Sequence, residues 1–183
     1  VALINTDIAV TVFGESPTQP GAVVTLDPQH GTHRELVAKP VPVGDEWLPR
    51  ITSLTIPGQA GRTVHAIVHE PTNPMHVRPL CAPTIVTAHG GPTGHHTATA
   101  QLDFAYFTSR GWRIVDVNYG GSTGYGREYR RRLNGMWGVV DTQDCAAAAR
   151  FLADAGLADA SRVVASGGSA GGWTTLCLLT FTD

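Results

Sequence analysis

The run Gly167-Gly168-Ser169-Ala170-Gly171-Gly172 constrains this chain more than any other stretch. Before it, Arg162-Val163-Val164-Ala165-Ser166 reads as a short buried strand. After it, Trp173-Thr174-Thr175-Leu176-Cys177-Leu178-Leu179 reads as the start of an apolar helix. A Gly-x-Ser-x-Gly between a strand and a helix is the nucleophile-elbow pattern. The turn forces its serine into a strained backbone conformation, and small neighbours let strand and helix pack around it. The hydroxyl then stands out at the strand end, and the next backbone N–H points toward a developing oxyanion. The motif alone also fits an ordinary glycine-rich turn, so the rest of the chain has to decide.

Pro83-Thr84-Ile85-Val86-Thr87-Ala88 is a β-branched run that reads as a second buried strand, and it ends in His89-Gly90-Gly91-Pro92-Thr93-Gly94. A His-Gly-Gly segment directly after a strand and upstream of a serine elbow is the usual source of a second oxyanion-hole N–H in α/β-hydrolases. Glycine is needed there because a side chain would block the approach of backbone to a substrate carbonyl. Alone, the segment also fits a tight Gly/Pro turn. Two matching motifs in the right order favour the functional reading.

A third strand-like run, Arg113-Ile114-Val115-Asp116-Val117-Asn118-Tyr119, leads into Gly120-Gly121-Ser122-Thr123-Gly124-Tyr125-Gly126. Four motifs together resemble the prolyl oligopeptidase family of serine peptidases, in its acylaminoacyl-peptidase-like branch. They are His89-Gly90-Gly91-Pro92, the segment from Asn118 to Gly126, Trp137-Gly138 followed by Asp141 and Asp144, and the Ser169 turn. Many family members carry arginine where this chain has Gly120. The resemblance covers residues 50–183 strongly and the first part loosely.

The resemblance implies an α/β fold: the N-terminal half of an α/β-hydrolase domain over residues 49–183, with a mostly parallel sheet and helices on both faces. Residues 1–48 would be the last blade of a preceding β-propeller. The implied activity is hydrolysis of peptide or acyl-aminoacyl bonds through an acyl-enzyme on Ser169. Backbone N–H groups of Gly91 and Ala170 would hold the oxyanion, and His89 and Gly90 would support that loop. Such an enzyme needs no metal or organic cofactor, and its partners are peptide or N-acylated peptide substrates. A carboxylesterase or lipase of the same fold is the alternative chemistry. A non-catalytic binding protein is the alternative of another class.

The histidines bear on this directly. All eight precede Ser169, whereas an α/β-hydrolase triad runs Ser, then Asp or Glu, then His. The expectation is therefore a piece of a longer enzyme, with the orienting acid and the base beyond Asp183, and inactive by itself. Among upstream histidines His89 is the best substitute by position, while His95 and His96 lie on the following loop. His65 and His69 share one face of a strand, but four residues of strand separate them by roughly 13 Å, too far for one metal ion.

The chain is 183 residues long, 42% hydrophobic and 15% charged, enough to bury a core. A formal net charge of -2 argues against nucleic acid or an acidic membrane surface as the main partner. Arg130-Arg131-Arg132 reads as a solvated helix face. No apolar stretch is long enough to span a bilayer and no secretory signal opens the chain, so a cytoplasmic location is expected. Cys81, Cys145 and Cys177 lack C-x-x-C spacing and read as reduced thiols, the last two on helical apolar positions.

The remaining elements follow from periodicity. Residues 51–56 and 63–68 flank Pro57-Gly58-Gln59-Ala60-Gly61 as a hairpin. Residues 102–110 read as a helix stopping at Gly111. Asp141 reads as an N-cap ahead of the apolar stripe Cys145, Ala148, Ala149 and Leu152, a reading stronger than a functional carboxylate pair with Asp144. Residues 8–13, 22–26 and 35–38 read as short strands separated by turns, an antiparallel meander.

Overall fold

The computed structural model describes residues 4–6, 9–38 and 40–182, and it contains two sheets. Strands β1 (Ile4–Thr6), β2 (Ala9–Gly14), β3 (Ala22–Asp27) and β4 (Thr32–Ala38) form an antiparallel meander in chain order. The strand expected from residue 8 is β2; Ile8 itself lies outside the described residues. Side chains close the turns after β2 and β3. Ser16 Oγ accepts from the N–H groups of Thr18 and Gln19 at 3.3 and 3.0 Å. Asp27 Oδ1 accepts from those of Gln29 and His30 at 2.9 and 3.1 Å.

The expected hairpin follows as β5 (Ile51–Pro57) and β6 (Thr63–His69), its turn closed by Gly58 N–H on Arg62 O at 2.7 Å. Then come β7 (Ala82–Ala88), α1 (Leu102–Thr108), β8 (Arg113–Asn118), α2 (Gly126–Arg131), α3 (Val140–Asp154), β9 (Ala158–Gly167) and α4 (Ala170–Phe181). The sheet order is β5-β6-β8-β7-β9. It is a mixed sheet. β5, β6 and β8 pair antiparallel, while β7 pairs parallel with both β8 and β9, because helical crossovers join those strands. Helix α1 ends at Thr108, two residues short of expectation. Arg110 and Gly111 instead bond back three residues, to Phe107 O and Thr108 O, which tightens the last turn.

The two faces of this sheet differ. Val64, Ala66 and Val68 of β6, Val86 and Ala88 of β7, and Val115 and Val117 of β8 form the main core with Cys145, Ala148 and Leu152 of α3. The alternate positions His69, Thr87 and Asp116 point the other way. There Phe104 of α1 packs edge-on to His69 at 4.8 Å between centroids. Arg113 opens β8 almost fully buried, bonding Glu70 Oε2 through Nη2 at 2.7 Å and Nε at 3.2 Å.

Two expectations are corrected. The strand leading to Ser169 is β9, which among the described residues pairs with β7 alone. Val163 and Val164 are exposed there, not buried. Asp141 is not an N-cap. Gly138, at φ 86, turns the chain so that Val139 takes the cap position, and Asp141 lies inside the first turn of α3. Its buried carboxylate accepts from Gly138 N–H at 2.7 Å and from Thr174 Oγ1 of α4. Asp144, one turn on, accepts from Gly120 N–H at 2.8 Å, and Arg62 Nη2 lies 3.6 Å from its other oxygen.

Candidate active site

Ser169 occupies the turn between β9 and α4 with φ 55 and ψ −119, a conformation that costs a non-glycine residue of order 1–3 kcal/mol. Close backbone packing dictates the neighbours. A Cβ on Gly171 would lie 1.9 Å from Ala88 O, and one on Gly167 would lie 2.4 Å from Gly171 O and 2.9 Å from Ala88 O. Both glycines press on the carbonyl that ends β7. Gly168 faces open space. The side chain of Ser169 is exposed at the strand end, and among the described residues it has no hydrogen-bond partner.

The loop after β7 runs beside this turn. A Cβ on Gly90 would sit 3.2 Å from Gly168 O and 3.5 Å from Ser169 Cβ. Gly91 adopts φ 77, in the left-handed region that glycine alone enters freely. Among the described residues, no protein group accepts a hydrogen bond from the N–H of Gly91 or of Ala170. An exposed hydroxyl on a strained turn, flanked by two unspent backbone donors, is equipped for attack on a carbonyl with stabilisation of the resulting oxyanion.

His89 is engaged elsewhere. Its Nε2 lies 2.7 Å from Ser122 Oγ and its Nδ1 3.1 Å from Gly90 O, and the ring stacks on Tyr119 at 4.3 Å. Burial pulls its pKa down to about 4, with the Gly90 carbonyl opposing, so the ring is neutral near pH 7. His69 Nε2 pairs with buried Asp116 Oδ2 at 3.1 Å, and His96 Nδ1 lies 3.6 Å from the same oxygen. His65 bonds Thr55 Oγ1 at 3.2 Å and stacks on Tyr125. Although His65 and His69 share a strand, they serve opposite ends of it. Among the described residues, no cluster of three or more His, Cys, Asp or Glu is arranged to hold a metal.

Asp141 and Asp144, which the sequence offers first as a cap and only second as a carboxylate pair, brace this site. Asp141 ties α3 to α4, the helix behind Ser169, and Asp144 ties α3 to the loop at Gly120. The available signal was two aspartates three apart, directly ahead of an apolar stripe. A side chain does not fit at Gly120: its Cβ would meet Val140 Cγ1 at 2.7 Å and Arg132 Cβ at 3.2 Å. Arg132 itself donates to Thr63 O at 2.8 Å and lies over the Tyr129 ring, so it is a packed arginine, not a free one.

Sheet, crossovers and serine turn define the first part of an α/β-hydrolase-type domain. Residues 98–183 match the sequence model described as prolyl oligopeptidase family. A puromycin-hydrolyzing peptidase from Mycobacterium tuberculosis superposes with a TM-score of 0.95 at 45% identity, covering 99% of this chain and 28% of that one. A second solved structure, of puromycin hydrolase, superposes with a TM-score of 0.95 at 44% identity and the same coverage. Acylamino-acid-releasing enzyme 1 of Oryza sativa subsp. japonica is 40% identical over 97 residues, 53% of this chain and 12% of that protein. By these matches the chain is similar to the prolyl oligopeptidase family, with residues 98–183 inside its sequence model. It spans little more than a quarter of the solved relatives and about an eighth of that curated one.

Proposed function

We propose that the protein is a serine peptidase that hydrolyses peptide or acyl-aminoacyl bonds, with Ser169 as nucleophile. The observation that carries this is the strained, exposed Ser169 flanked by the unspent N–H groups of Gly91 and Ala170. Ser169 Oγ attacks the scissile carbonyl carbon and the carbonyl oxygen becomes an oxyanion held by those two donors. Collapse expels the amine and leaves an acyl-enzyme, which water then hydrolyses. A histidine outside residues 1–183, oriented by an acidic residue also outside them, takes the serine proton and delivers it to the leaving amine. His89, neutral and committed to Ser122, supports the loop together with Gly90. The relatives named above, peptidases and acylamino-acid-releasing enzymes, favour amide over ester substrates. The antiparallel meander of β1 to β4 fits a last β-propeller blade over residues 1–48, ahead of a hydrolase domain starting at residue 49. Three free cysteines favour a reducing, cytoplasmic setting. Among the described residues, no helix is long and apolar enough to cross a membrane.

The test uses the native-length protein. Wild type should react with a fluorophosphonate probe and cleave peptidyl or acyl-aminoacyl anilides, and Ser169→Ala should lose both activities with an unchanged circular dichroism spectrum. Labelling that persists on another serine removes Ser169 from the mechanism. Ester cleavage without any amide cleavage across a broad panel points to the esterase chemistry instead.

A further inference from the structure

The loop over residues 89–96 has little to fix it from within. Three of its eight residues are glycine, and its internal backbone bonding is one short turn from Thr93 N–H to Gly91 O. Such a segment does not hold a backbone donor in place unaided. Its order comes from the segment that leaves β8, the strand beside β7. That segment grips the loop at three points along its length.

At the start, Tyr119 OH donates to His89 O at 2.9 Å while its ring stacks on the imidazole. In the middle, Thr123 N–H donates to Gly94 O at 2.9 Å and Thr123 Oγ1 donates to Thr93 O at 2.6 Å. At the end, the Asn118 amide brackets one residue: Oδ1 accepts from His96 N–H at 2.7 Å, and Nδ2 donates to His96 O at 3.2 Å. Flipping that amide would set donor against donor and acceptor against acceptor, so its orientation is fixed. The second Nδ2 hydrogen goes to Tyr125 OH at 2.9 Å.

The gripping segment is itself anchored. Gly120 N–H is held by Asp144 of α3, and Gly121 N–H bonds Tyr129 O of α2 at 3.1 Å. Tyr129 OH bonds Asn118 O at 2.6 Å. A continuous set of hydrogen bonds thus runs from the helices to the loop that carries Gly91.

The geometry points to Asn118 and Thr123 as positioning residues for the oxyanion-binding N–H of Gly91. They act through the loop and do not touch the reacting atoms. This inference rests on the proposed role of Ser169 and Gly91. A donor aimed at an oxyanion stabilises the transition state only within a narrow range of positions, so loosening either grip should lower kcat more than it raises KM.

The experiment measures kcat and KM for an anilide substrate in the native-length protein, for Asn118→Asp, Thr123→Val, Thr123→Ser and Ser169→Ala. Asn118→Asp keeps the shape and the acceptor for His96 N–H but sets a carboxylate oxygen against His96 O. Its kcat should fall about 10–100-fold with KM within about threefold. Thr123→Val lies on the surface, keeps the backbone bond to Gly94 and loses only the hydroxyl. It should lose about 3–10-fold in kcat, and Thr123→Ser should restore it. If Asn118→Asp does not fold, the Thr123 pair decides alone. Wild-type kcat in folded Thr123→Val, with Ser169→Ala inactive, overturns the positioning role and leaves the nucleophile standing. A loss carried wholly by KM also overturns it. Turnover surviving in Ser169→Ala overturns the nucleophile assignment, and the inference with it.

Discussion

Strand β2 (AVTVFG) and strand β7 (APTIVTA) are alike in composition, yet they sit in opposite surroundings. In the meander, β4 is almost wholly exposed, and Phe13, Leu26, Leu36 and Val37 all reach solvent. In the second sheet every residue of β8 is buried, including Arg113, Asp116 and Asn118. The difference lies in what surrounds each strand. β8 lies between β6 and β7, with α3 against one face and α1 against the other. In the meander, β2 and β3 are mostly half-buried and β4 is left open. Where backbones are packed on all sides, single atoms decide what residue is allowed. Where a face is open, many residues serve equally well.

The sharpest way to break this contrast is at the elbow. Gly171→Ala should destabilise the protein by more than about 4 kcal/mol or prevent folding, because the added Cβ meets backbone atoms of Ala88 and His89 that cannot yield. Gly168→Ala, three residues earlier, meets nothing within 4 Å and should change stability by less than about 0.5 kcal/mol. Similar melting temperatures for the two variants would refute the packing argument.

Acid should separate the regions next. With its pKa lowered to about 4 from 6.5, His89 binds a proton more readily when unfolded than when folded. Its contribution is therefore fully present above about pH 6.5 and lost as pH falls toward 4, a loss on the order of 3 kcal/mol. Burial shifts His96 in the same direction, with Asp116 opposing. Denaturant titrations of the wild type and His89→Gln between pH 7 and 4 should show a shallower loss in the variant. In the meander, Asp27 is held below its usual range, chiefly by its bond to His30, so that contact favours the fold above the carboxylate range and fades in acid below it, without any burial behind it.

The smallest effects compare matched substitutions. Val117→Thr places a hydroxyl in the core at a fully buried position and should cost about 1–3 kcal/mol. Val37→Thr, 66% exposed in the meander, should stay within about 0.5 kcal/mol. Equal costs in chemical denaturation would mean that the meander is covered by something else in the native-length protein.

Much of the architecture was legible because its signals are local. The hairpin of β5 and β6, the ends of β7 and β8 and the serine turn are written in periodicity and in small residues over a few positions. Asp141 was misread for the same reason: an aspartate ahead of an apolar stripe resembles a cap, and only the fold brings Thr174 to it, 33 residues along the chain.

By itself, the sequence placed Ser169 on a turn between strand and helix, and the His89 loop upstream decided between a nucleophile turn and an ordinary glycine-rich one. The sequence also determined that a glycine loop follows β7. Only the tertiary structure decided that β8 lies beside β7, and hence that Asn118 and Thr123 grip that loop across 22 and 30 residues of chain. It likewise decided that His89 faces Ser122 and not Ser169. The physical reason is range. Backbone strain and turn chemistry act between neighbours in sequence, whereas a side chain at a strand end meets whatever the strand order and the helical crossovers place beside it.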